Sequence, residues 1–307
     1  MRPWAVAAVL SLAPGPALAH VSERAVILTL PTGPYIWGAG LAVALTALVA
    51  AFGGRLPDFG SRPLFVRPAI LSRSATSWLS TTTLFALICA GLFGNHNPLA
   101  NPLPLMLWTV IWVGLTIACA VCGNLWRDIE PWTGPVRTRR GLLGRTAGIG
   151  LARLGHWPAV AGLFAFSWFE IVSLSPDDPA QLAVIIAAYW LVIFALSVAE
   201  GEDWLQQGEF LTVFFGYIAR IAPFWAVCDN GRVKVMAGWP GAQILALPPF
   251  GASAAAFVTL TLASVSFDGL HQTFRWLGFI GINPLEFPGR SAVMGVNTAG
   301  LLEMWAL

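Results

Sequence analysis

Apolar runs separated by short polar turns dominate this chain and leave it few ways to fold. Eight such runs occupy residues 35–53, 78–94, 105–122, 157–174, 181–199, 209–225, 250–266 and 291–307. A helix rises 1.5 Å per residue, so about 20 apolar residues cross the ~30 Å of hydrocarbon in a bilayer. Of the 307 residues, 57% are hydrophobic and only 10% charged, whereas soluble domains carry roughly 25% charged residues. The expected fold is all-α: a polytopic transmembrane helix bundle of about seven to eight spans, forming one domain over residues 20–307.

Residues 1–19, with one early arginine, an apolar stretch and the ending Ala17-Leu18-Ala19, read as a signal peptide. Cleavage there places His20 at a free amino terminus, where amine and imidazole together can chelate Cu(II). His96 in the turn NHNPLANPLP is a second imidazole on the same side. The loops around residues 55–73 and 127–153 hold ten arginines, and the turn between them holds none. By the positive-inside rule those loops are cytoplasmic and the mature amino terminus is periplasmic in a bacterial inner membrane. Counting spans onward puts the acidic turn EGEDWLQQG inside. The same count puts CDNGRVKV, a small hairpin around Asn230-Gly231, outside, and FDGLHQTFRW inside.

Two runs carry a full charge, Glu170 in the fourth and Arg220 in the sixth. As parallel spans they hold these charges at similar depth, where pairing relieves a cost of at least ~2.5 kcal/mol per charge. On the inner side the count gathers Asp128, Glu130, Glu200, Glu202, Asp203, Glu209, Asp268 and His271. Carboxylates and an imidazole at one level suit a divalent metal that activates water, although acids in turns are more often simply solvated. Glu202, Asp203, His271 and Asp268 are the candidate ligands. Cys119 and Cys122 form a CxxC without a second pair and read as packing residues. Arginines scattered between spans give no nucleic-acid face.

Several stretches, in order over roughly residues 100–290, carry a resemblance. GNLWRDIEPW, HWPAVAGLFAFSWFE, SPDDPAQLA, EGEDWLQQGEFLTVFFGYIARIAPF and SFDGLHQTFRW resemble the bacterial multi-pass membrane proteins known as fenitrothion hydrolase. The resemblance implies an inner-membrane helical protein that hydrolyses aryl phosphorothioate triesters. It also implies a longer chain, with further spans beyond the point matching Leu307. Read with the inner acidic set, Asp268, His271 and Glu209 become ligand or base candidates, and Arg127 the cation facing a phosphoryl group. The alternative is a non-catalytic membrane component, copper-handling or a subunit of a larger complex. Expected partners are the lipid bilayer, other membrane subunits or a separately encoded C-terminal part, and no nucleic acid.

Overall fold

The computed structural model describes residues 32–52, 60–68, 71–229, 231–247 and 249–307. The signal-peptide stretch and His20 lie outside the described residues, as does Asn230 of the hairpin turn. Two compact units divide the chain at residue 59. The first contains helix α1 (Thr32–Phe52), whose residues 37–48 are exposed. Everything below concerns the second, Gly60–Leu307.

Four of its helices are long and apolar enough to cross a membrane: α2 (Arg73–Phe93), α3 (Pro102–Cys122), α6 (Pro179–Glu200) and α8 (Ala252–Leu270). Shorter helices complete it: α4 (Thr133–Leu142), α5 (Trp157–Val172), α7 (Phe210–Ile218), α9 (Phe274–Phe279) and α10 (Arg290–Ala306). The expected seven to eight spans are thus not supported; four helices meet the length and hydropathy of a span. The helix ends follow local chemistry. Ser72, Asn101 and Asp178 accept the first free amides of α2, α3 and α6, and Pro102 and Pro179 occupy first-turn positions where no amide is needed. Gly91 lets α2 close on its neighbours: a Cβ there would lie 2.5 Å from Leu103 Cδ2 and 2.8 Å from Ala183 Cβ.

The bundle has two recognisable ends. At the arginine-rich end the start of α2 meets the residues after α3: Arg73 Nε donates to the Arg127 carbonyl at 2.9 Å, and the Gly134 amide to Ser77 Oγ at 2.9 Å. The end of α6 joins them, because Arg137 pairs with Glu202 and Arg140 donates to the Val198 carbonyl. The start of α8 is there too, since the His156 amide that opens α5 donates to Ser253 Oγ at 3.1 Å. At the opposite end, Arg290 donates to the carbonyls of Glu170 and Ser173 as α5 finishes. Ile171 and Val172 bury against Phe267 and Leu301.

This geometry corrects the span count. The run at 209–225 does not cross. Only nine of its residues form α7, about 14 Å of helix and half a hydrocarbon core. A 3-10 turn, Ala219–Ile221, and Pro223 then turn the chain back. It returns to Gly123 at the end of α3, whose φ of 84° admits no ordinary side chain and where a Cβ would lie 2.9 Å from Trp225 Cα. From that point every assigned side is inverted. The hairpin β2 (Phe224–Asp229) and β3 (Arg232–Ala237) forms as expected but lies at the arginine-rich end.

There β3 also pairs antiparallel with β1 (Arg62–Pro68), giving a three-stranded sheet of order β1-β3-β2. The class is therefore helical with a small sheet rather than all-α. Strand β1 sits at an edge, where Pro63 and Pro68 are tolerated because one side needs no ladder bonds. A one-dimensional map that puts β1 inside and β3 outside cannot hold, since the two are in register from Arg62↔Ala237 to Pro68↔Arg232.

Cysteines placed at Val66 and Lys234, partners in that register, should form a disulfide on mild oxidation in a variant whose four native cysteines are serine. Failure to crosslink, with labelling of the two positions from opposite faces, would restore the parity map.

Candidate functional site

Two fully buried carboxylates, Glu130 and Glu209, anchor the arginine-rich end. Glu209 precedes α7 and accepts from the amides of Leu211 at 2.9 Å and Thr212 at 2.6 Å, from the Thr212 hydroxyl at 2.6 Å and from the Tyr189 hydroxyl. Trp126 Nε1 in turn donates to Thr212 Oγ1 at 3.1 Å. Glu130 precedes α4 and accepts from the amides of Trp132 at 2.8 Å and Thr133 at 3.0 Å, with Arg73 at 3.3 Å. Burying an ionised carboxylate costs several kcal/mol, and each charge-assisted hydrogen bond returns about 1.5–3 kcal/mol. Four donors on Glu209 and three on Glu130 therefore offset the cost, and leave little of either carboxylate for a metal or a substrate.

Burial pushes the Glu130 carboxyl above its ordinary value, against the opposing hydrogen bonds from Thr133 and Trp132 and the Arg73 charge. Glu209 is the N-cap of α7, and Glu130, two residues ahead of the Trp132 N-cap of α4, accepts the amides of Trp132 and Thr133; both sit where a helix start offers free amides and a positive dipole end. Aromatic rings seal the region: Trp132 meets Tyr189 edge-on at 6.0 Å, and Trp126 lies 5.3 Å from Phe215.

Two further acids of this end, Glu202 and Glu200, are also engaged. Glu202 receives Nε and an Nη of Arg137 at 2.6–2.8 Å, and its hydrogen bonds raise the Arg137 pKa. Glu200 accepts from the amides of Ile149, Gly150 and Ala152. Asp203 is exposed beside them. Arg137, Arg140, Glu200, Glu202 and Asp203 line an open cleft of about 440 Å³. Arg127 is exposed, and the structure uses its backbone rather than its guanidinium: its carbonyl accepts from Arg73 and its amide donates to Asn124.

Asp268 and His271 are not part of this group. They close α8 at the opposite end, because α7 fails to cross and α8 starts at the arginine-rich end. His271 is buried and its ring nitrogens are occupied, Nδ1 by the Asp268 carbonyl at 2.8 Å and Nε2 by Gln272 at 3.1 Å. Burial lowers its pKa. Asp268 is exposed, with Oδ1 3.9 Å from that ring. The expected set is thus split, with Glu202, Asp203, Glu209 and Arg127 at one end and Asp268 and His271 at the other. Among the described residues no three His, Cys, Asp or Glu side chains are placed to hold a metal.

The expected Glu170–Arg220 pair also dissolves. Glu170 lies near the end of α5, where Arg290 binds its carbonyl, while Arg220 is exposed in the 3-10 turn after α7. Cys119 is buried, Cys122 is exposed, and both are free thiols. His96 is exposed in the turn between α2 and α3. The sequence reading passed over Tyr189, Thr212 and Arg73, whose side chains meet the two buried acids. Thr212, three residues after Glu209, was the available signal, since a helix start offers its amides at that spacing.

Because the folded-state pKa of Glu130 is raised, the folded chain holds a proton that the unfolded chain releases near pH 4.5. Stability should therefore fall as pH rises from that value toward the raised one. Glu130→Gln should flatten this slope in thermal unfolding followed across pH. Glu209→Ala should cost about 2–4 kcal/mol, since it removes a cap and strands buried donors; a loss below 0.5 kcal/mol would deny the cap its role. Comparison with protein-family models, with curated proteins and with solved structures finds no match for the chain.

Proposed function

We propose that the chain is a non-catalytic helical component of a bacterial inner membrane, its apolar helix faces in lipid and its arginine-rich end at the cytoplasmic headgroups. The observation that carries this is where the apolar side chains lie. Val113 and Ile117 of α3, Leu191 and Val192 of α6, and Leu262 and Val265 of α8 are 51–64% exposed. Contiguous apolar faces of this extent are not stable in water, and lipid removes their hydration cost at about 25 cal/mol per Å². The arginine-rich loops orient the protein by the positive-inside rule. The engaged state of its buried acids fits a scaffold, since hydrolytic chemistry needs a carboxylate or imidazole free to bind metal or take a proton.

The second reading, hydrolysis of an aryl phosphorothioate triester, is supported by the resemblance over residues 100–290 and by the cleft at Glu202 and Asp203. In that cleft Arg137 and Arg140 supply cations, Asp203 is the acid left for water activation, and Glu202 is already committed to Arg137.

Membranes containing the chain should retain it through alkaline carbonate extraction. With added Zn²⁺, Mn²⁺ or Co²⁺ they should release no aryl alcohol from fenitrothion above membranes lacking it. Metal-dependent release that disappears in Asp203→Ala would establish the hydrolase and remove the scaffold reading.

A further inference from the structure

Four arginines at the basic end serve the fold itself: Arg73 is held by Glu130 and the Arg127 carbonyl, Arg137 by Glu202, Arg140 by three carbonyls and Arg153 by the Gly150 carbonyl. Arg139 is different. It is exposed in the last turn of α4, and its guanidinium makes no hydrogen bond or ion pair among the described residues. It lies on the rim of an apolar groove of about 470 Å³ between α2, α4 and α6.

Trp78, Phe85, Pro135, Leu142, Trp190 and Phe194 give the groove its apolar lining. Trp190 stacks on Phe194 with ring centres 5.0 Å apart, and Phe85 meets Trp190 edge-on at 5.0 Å. The hydroxyls of the lining and the Trp190 indole are already spent, and among the described residues the Trp78 indole N–H is its one uncharged donor without a partner. Thr81, Thr82 and Thr138 donate their hydroxyls to carbonyls four residues back, and Trp190 Nε1 donates to the Pro131 carbonyl. Among the described residues Arg139 is the one charged side chain lining the groove.

A peptide laid in such a groove brings amides and carbonyls that its walls cannot satisfy. A hydrocarbon chain brings none. We propose that the groove seats one acyl chain of an anionic phospholipid, with the lipid phosphate on the Arg139 guanidinium. The groove runs along α2 and α6, both long enough to span, so its occupant lies parallel to lipid chains and its cation stands at headgroup level. This assignment rests on the membrane reading above.

The test uses the full chain purified in neutral detergent and titrated separately with phosphatidylglycerol, phosphatidylcholine and inorganic phosphate, followed by native mass spectrometry and thermal unfolding. Phosphatidylglycerol should bind in preference to phosphatidylcholine and raise the unfolding temperature, and inorganic phosphate should not. R139Q, at an exposed position, should unfold at the wild-type temperature without lipid and lose about fivefold of the anionic preference. Thr82→Phe, which fills the groove, should reduce retention of both lipids. Unchanged preference in R139Q, unchanged retention in Thr82→Phe, or an equal shift with inorganic phosphate alone would overturn the proposal. Release of the chain by alkaline carbonate would instead overturn the membrane reading beneath it. A carbonate-resistant chain with unaltered R139Q would remove the lipid site alone.

Discussion

The arrangement of the bundle depends on one buried carboxylate. Glu209 starts α7 beside Tyr189 and is fully buried, so no water reaches the first amides of that helix. Its side chain collects two of those amides and two hydroxyls, so the helix can begin inside the bundle. Because it begins inside, nine residues return it to the end it came from. The return carries the β2–β3 hairpin to β1 and sets the direction of α8 and the side on which His271 emerges. The neighbouring Glu130 accepts the amides of Trp132 and Thr133 at the start of α4, whose Pro135, Thr138, Arg139 and Leu142 form one wall of the apolar groove.

Much of the helical content was legible. The runs at 78–94, 105–122, 181–199 and 250–266 correspond to Arg73–Phe93, Pro102–Cys122, Pro179–Glu200 and Ala252–Leu270, because a buried or lipid-facing helix needs an unbroken apolar stretch and little else. Hydropathy could not separate a run that crosses from one that enters and turns back. The sixth run is as apolar as its neighbours, and what shortens it is a polar cap at Glu209 and a break at Pro223. Span counting is cumulative, so one misjudged run reverses everything after it. Strand β1 was illegible for another reason: RPLFVRP has two prolines and reads as loop unless its partner is known, and the partner lies some 170 residues away.

The candidate site failed where residue chemistry was read without helix positions. Asp and Glu ahead of a helix, and His just past the end of one, satisfy backbone groups far more readily than they assemble around an ion. Glu130, Glu209 and His271 each occupy such a position. Arg290 makes the same point for Glu170. At the first turn of the last helix, it donates to the carbonyls of Glu170 and Ser173 at the C-terminus of α5, where a cation meets the negative end of the helix dipole. Arg220, which sequence depth alone suggested, is at the other end.

The charges at the basic end therefore divide by the direction they face. Those turned inward are consumed in positioning: Arg73 locks α2 to the turn after α3, Arg137 and Arg140 lock α4 to the end of α6. The Arg137–Glu202 pair is exposed and worth no more than the 0–1 kcal/mol of a surface pair, but each interaction removes a cation from circulation. Arg139 is left facing outward, next to the committed Arg140 and two residues after the committed Arg137, because a helix turns each successive side chain by about 100°. A single amphipathic helix can in this way hold a bundle together on one face and present a free charge to phosphate on another. The same run of arginines thus supplies the ties within this end of the bundle.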